Sequence, residues 1–149
     1  MVAEEAGVVV RVESSPRDGE LVQRVEARTH AFVVDEPEGT GDDLGATPYE
    51  LLLAALGTCT SMTISMYARK QGIALERVVV RMTYNRLHVE DCVGAEEEKV
   101  TRRVHRIERE LSLTGDLSDA DRERLVEIAE RCPVHRTLVE EKEILTRLV

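Results

Sequence analysis

TPYELLLAALGTCTSMTISMYARKQG, running from Thr47 to Gly72, is the stretch that decides the fold. It opens with three helix-start signals at once: Thr47 as N-cap, Pro48 at the first helical position, and Glu50 three residues after the cap, the spacing of a capping box. Gly72 is the stop signal at the far end. A helix is therefore predicted over Pro48 to Gln71, about 36 Å long at 1.5 Å per residue. From Leu51 to Ala68 it carries no charge and is apolar or hydroxylic around its whole circumference, so it asks for cover on every side. A chain of 149 residues rarely encloses such a helix alone, and a second subunit is the expected source of the missing cover. Thr58, Thr60, Ser61, Thr63 and Ser65 load it with hydroxyls around Gly57. That suits a buried helix of a soluble protein better than a lipid-facing span of roughly 20 residues, and no membrane crossing is expected.

Upstream, the β-branched run Val8 to Val12 reads as a first strand, and Ser15-Pro16-Arg17-Asp18-Gly19 as the turn after it. Leu21 to Ala27 and His30 to Val34 are two more short strands, followed by Asp35-Glu36-Pro37 and a Gly- and Asp-rich loop over Glu38 to Ala46. Downstream, Val78, Val80, Met82 and Tyr84 alternate with Val79, Arg81, Thr83 and Asn85, the period of a half-buried strand. Val100 to Leu113 continues the pattern with Ile107, Leu111 and Leu113 on one side. His88 to Lys99, between them, reads as an acidic loop holding Cys92. Ser118 with Asp121 opens a second helix, on which Leu125, Ile128, Ala129 and Cys132 fall at i, i+3, i+4 and i+7, and Pro133 ends it. Ile144, Thr146 and Leu148 suggest a closing strand. The order gives an α+β fold with a mainly antiparallel sheet, expected as one domain over residues 1–149.

Composition narrows the function classes. Aromatics are 3% of the chain, too few to stack bases, and 20 basic against 29 acidic residues give a net charge of −9 that phosphate backbones repel. No nucleic-acid partner is expected. The acidic start lacks the positive region of a signal peptide, and three cysteines are too few for a disulfide-stapled secreted miniprotein. A reducing, cytoplasmic setting follows, with free thiols available for chemistry.

Cys59 sits mid-helix, where a free cysteine often packs as a small hydrophobe. Without a helix N-terminus beside it, a thiolate there needs a cation brought from elsewhere. Cys132 lies on a second apolar face, and two such faces in one small core are expected neighbours although 73 positions separate the thiols. A thiolate that attacks a peroxide becomes a sulfenic acid, which a second thiol converts to a disulfide, so two cysteines are the minimum for that cycle. Cys132-Pro133-Val134-His135 also has metal-ligand spacing, with His30, His88, His105 and Cys92 as further candidates, but the second tight pair of a zinc site is missing. No metal and no cofactor is expected. Glu50 has a structural use as the partner of Thr47, and Arg17 that of a solvated turn charge.

The run from Thr47 to Met62, joined to Cys132-Pro133-Val134-His135-Arg136-Thr137-Leu138, resembles the OsmC/Ohr family of thiol peroxidases, nearest the OsmC-like branch with Asp35-Glu36-Pro37 before the Gly-rich loop. The resemblance runs from about His30 to the C-terminus. It implies an interwoven α+β homodimer with antiparallel sheets wrapped around central long helices. It implies Cys59 as the peroxidatic thiol and Cys132 as the resolving one, reducing organic hydroperoxides and recycled by a dithiol, either a lipoylated or a thioredoxin-like protein. An arginine after the first strand supports the thiolate in the family; Arg17 is in the matching turn, with Arg24 and Arg28 as alternatives. The hydroperoxide-resistance branch holds that arginine with a glutamate directly after the helix-start proline. Here Tyr49 occupies that position and Glu50 follows, about 100° further round the helix. A different class of function on the same fold is a non-catalytic dimer binding a small hydrophobic molecule.

Overall fold

The computed structural model describes residues 7–15, 17–93 and 98–148, with the side chains of 88–102 set aside. It divides into two compact units, residues 1–52 and 53–149.

The first unit is an antiparallel meander, β1 (Val10–Ser14), β2 (Gln23–Ala27) and β3 (His30–Val34), in which Val12 faces Val25 and Val25 faces Phe32. The Gly- and Asp-rich loop that follows is folded around one side chain. Asp35, buried, accepts hydrogen bonds from the N–H groups of Glu36 (2.8 Å), Asp42 (3.0 Å) and Leu44 (3.2 Å). Burial alone would raise its pKa, but these three donors outweigh it and hold the carboxyl below its usual range. The wrap is close enough to require glycine: a Cβ on Gly41 would stand 2.5 Å from the Asp35 carboxylate, and one on Gly45 2.2 Å from the Val33 carbonyl. The loop delivers the chain to Thr47. There the predicted capping box is closed, with Thr47 N–H donating to Glu50 Oε2 at 2.7 Å and Glu50 N–H to Thr47 Oγ1 at 3.2 Å.

Helix α1 (Pro48–Gln71) has the predicted bounds. It ends in a Schellman turn: Gly72, at φ 69°, donates to Arg69 O and Ile73 to Ala68 O. In the second unit the chain then forms two long antiparallel strands, β4 (Ala74–Val93) and β5 (Glu98–Asp116), and two helices, α2 (Asp119–Ala129) and α3 (Pro133–Val139). Ile64 and Ala68 of α1 pack with Leu125 and Ala129 of α2, over Val78, Leu111 and Leu113 of the hairpin. That cluster is the core of this unit. Ser118 and Asp121 form the expected capping box of α2.

Three expectations are corrected. His88 to Lys99 is not simply a loop, because the ladder continues through Cys92↔Lys99 to Val93↔Glu98; backbone pairing does not require apolar side chains. The side chains of Cys92 and His88 lie outside the described residues. Second, α2 stops at Ala129, so Cys132 is not on its face and Pro133 does not end it. Pro133 instead begins α3 at a position where its missing N–H costs nothing. Third, residues 140–148 form no strand among the described residues; Ile144 and Leu148 are exposed. As expected for a chain of this length, α1 is not covered all round by its own residues. Leu56, Gly57, Thr60, Ile64 and Ala68 are buried, whereas Met62 is 64% and Met66 66% exposed. By length and composition it is also the one helix among the described residues apolar enough to cross a membrane.

Candidate active site

Midway along α1, three threonine hydroxyls within two turns bond back onto the helix backbone. Thr58 donates to Ala54 O at 2.7 Å, Thr60 to Leu56 O at 2.8 Å and Thr63 to Cys59 O at 2.8 Å. Polar side chains are thereby tolerated on a buried helix, because no buried side-chain N or O among the described residues lacks a partner. Cys59 lies among them, partly exposed.

Cys132 comes to the same place from the other end of the chain. It is the N-cap of α3, with φ −57° and ψ 128°, and it is 0% exposed. Its side chain makes no ordinary cap bond, but Pro133 at the first helical position leaves Val134 and His135 as the first N–H groups of the helix, and these have no intrahelical acceptor. The Val134 and His135 N–H groups lie near the thiols and favour charge on them.

The two thiols perturb each other's titration, so their acidities belong to the pair. The pKa of Cys59 is pushed up, first by burial and then by its neighbour Cys132. Burial also acts upward on Cys132, but its polar surroundings, the Cys59 thiol foremost, bring it below its ordinary value.

Arg109, which sequence reasoning passed over, stands behind this pair. Its Nη1 donates to Thr60 Oγ1 at 3.0 Å and to Ala129 O at 3.1 Å, and its Nη2 to Glu130 Oε1 at 2.5 Å. Its side chain is only 12% exposed. The signal was in the strand period: Arg109 shares parity with Ile107, Leu111 and Leu113, the inward side of β5, where a charge is out of place.

The other candidates sit as follows. Glu50 is engaged with Thr47 in the cap. Arg17 is exposed in the turn after β1, its N–H 3.4 Å from Ser15 Oγ. Arg24 Nε stands 3.5 Å from Glu26, and Arg28 occupies the β2–β3 turn at φ 57°. His105 stacks on Tyr84 and hydrogen-bonds its hydroxyl at 2.7 Å. His135 Nε2 faces Glu130 at 3.4 Å, and no three His, Cys, Asp or Glu side chains among the described residues stand together as a metal site. A shallow groove of about 360 Å³ between α1 and β4 is lined by Leu53, Ala54, Gly57, Val80 and Met82.

Comparison with known proteins agrees with the fold. Solved structures with the same fold include an OsmC-like protein from Mycoplasma pneumoniae (16% identity, TM-score 0.66, covering 90% of this chain and 88% of that one). An organic hydroperoxide resistance protein OsmC from Legionella pneumophila matches at 19% identity and TM-score 0.63, covering 90% of each chain. One from Elizabethkingia anophelis matches at 15% identity and TM-score 0.65, covering 93% of this chain and 91% of that one. Among curated proteins no sequence match was found. Residues 39–146 match the family described as OsmC-like protein, and the chain, with its antiparallel sheets and one long helix, belongs to that family.

Proposed function

We propose that the protein is a thiol-dependent peroxidase that reduces organic hydroperoxides through Cys59 and Cys132. The observation that carries the reading is that two thiols 73 positions apart come close enough to perturb each other's acidity, Cys59 partly exposed and Cys132 enclosed. The Cys59 thiolate attacks the peroxide oxygen remote from the alkyl group, forming an S–O bond and breaking O–O; the alkoxide takes up a proton and leaves as the alcohol. The Cys132 sulfur then attacks the Cys59 sulfenic acid, the hydroxyl leaves as water with a proton, and a disulfide remains. An external dithiol returns both electrons.

Acidity favours Cys132 and access favours Cys59. Access decides, because a thiolate at 0% exposure meets no substrate, whereas Cys59 is partly exposed. A guanidinium would tip that balance, the role we assign to Arg17, with Arg24 and Arg28 as alternatives. Glu50 acts by fixing the helix start. The uncovered Met62 and Met66 support a homodimer, and the thiol chemistry fits a cytoplasmic setting. The other reading, an inert dimer holding a small apolar molecule, is favoured by the groove beside Gly57.

Mass spectrometry after one equivalent of an organic hydroperoxide separates the two. The expected product is an intramolecular Cys59–Cys132 disulfide with Cys92 reduced; Cys132→Ser is expected to trap sulfenic acid on Cys59 after one turnover, and Cys59→Ser to consume no peroxide. Unreactive thiols with a retained apolar ligand would establish the binder instead.

A further inference from the structure

We propose that Arg109 is a positioning residue of the cysteine pair: through Thr60 it holds the turn of α1 beside Cys59, and through Ala129 and Glu130 it fixes the turn that carries Cys132. The inference rests on the thiol-pair reading above, and deepens it. Placing a guanidinium on the inward side of β5, next to Ile107 and Leu111, is costly unless its donors are used. Here Nη1 and Nη2 reach three acceptors, each on a segment that carries one of the two thiols.

The first is Thr60 Oγ1. Its proton goes to Leu56 O at 2.8 Å and Arg109 donates to its oxygen at 3.0 Å, which ties the guanidinium to the residue next to Cys59 on α1. The second is the carbonyl of Ala129, the last residue of α2, one of the C-terminal groups the helix leaves without a partner. Ala129 and Cys132 are three positions apart, so pinning this carbonyl fixes where the cysteine can stand. The third is Glu130, whose carboxylate also faces His135 Nε2 at 3.4 Å, and the backbone N–H of His135 favours charge on Cys132. The charged and titratable groups gathered at Cys132 are thus Cys59, Arg109, Glu130 and His135.

Titration of 13Cβ-cysteine resonances in the reduced full chain tests this without any peroxide. In Arg109→Met the Cys132 midpoint is expected to rise by about one pH unit, a tenfold loss of thiolate near neutrality. Thr60→Val, which keeps the guanidinium and deletes only the bridge, is expected to move it in the same direction and serves if Arg109→Met does not fold. Arg81→Met, removing an exposed arginine paired with Glu110, is expected to leave it in place. A Cys132 midpoint unchanged in a folded Arg109→Met or Thr60→Val protein would overturn the positioning role, as would an equal shift in Arg81→Met. Failure of the wild-type chain to consume peroxide would sink the proposed activity and leave this titration result standing.

Discussion

Oxidation of the pair should stabilise the chain by an amount that its connectivity sets. A Cys59–Cys132 bond closes a loop of 73 positions, and the loss of chain entropy in the unfolded state then amounts to about 4.5 kcal/mol at 25 °C. The native structure brings the two thiols close enough to perturb each other's acidity, and bonding requires an approach to about 2.05 Å. Strain in that step reduces the gain, and roughly 2–4.5 kcal/mol is expected. At a urea dependence of about 2 kcal/mol per molar, the unfolding midpoint moves up by roughly 1–2 M. The assay is urea unfolding of the Cys92→Ser chain, reduced and after one equivalent of hydroperoxide, at one fixed protein concentration so that any assembly contributes equally. Cys132→Ser treated identically should show no gain. An intramolecular disulfide confirmed by mass with an unchanged or lowered midpoint would refute the reasoning, because the bond would then have been bought by unpacking the site.

Ile64, 0% exposed between α1 and α2, is the most enclosed large side chain of the core, and Ile64→Ala should cost about 2–5 kcal/mol in the same unfolding assay. Glu50→Ala should lower stability by about 0.5–2 kcal/mol through the lost cap, with peroxide turnover per folded molecule unaltered. Arg17→Ala should slow peroxide reduction by at least about tenfold, or roughly 1.4 kcal/mol of barrier, in a stopped-flow assay; a loss seen only in Arg24→Ala or Arg28→Ala would reassign the supporting cation. Stability of the reduced chain should pass through a maximum in the thiol range. Cys132, more acidic folded than unfolded, adds stability as pH rises from its folded to its unfolded pKa, and Cys59, less acidic folded, removes it as pH climbs further. Cys132→Ser should abolish the rising limb in thermal melts from pH 6 to 10.

What could be read from the sequence was what local chemistry fixes. The bounds of α1 follow from Thr47, Pro48, Glu50 and Gly72, each acting within one turn of the helix end, and the α2 start from Ser118 and Asp121. Tertiary context settled the rest. Leu125, Ile128, Ala129 and Cys132 share a helical period and are all buried, yet burial of Cys132 comes from a turn and a new helix rather than from a longer α2. Proline is compatible with either reading, since it both stops a helix and starts one. Alternation at Ile144, Thr146 and Leu148 suggested a strand, but a strand needs an edge to pair with, and the described chain offers these residues none.

The search for a cation illustrates how far spacing reaches. Sequence reasoning held that Cys59 lacks a helix terminus and so needs a guanidinium, and it looked for one near the first strand. The structure supplies a guanidinium on β5 instead, Arg109, in contact with Thr60, Ala129 and Glu130 on the segments that carry the two thiols. A cation that holds both segments acts on the pair as a unit, and Arg109→Met should slow the first attack at Cys59 as well as the resolving step.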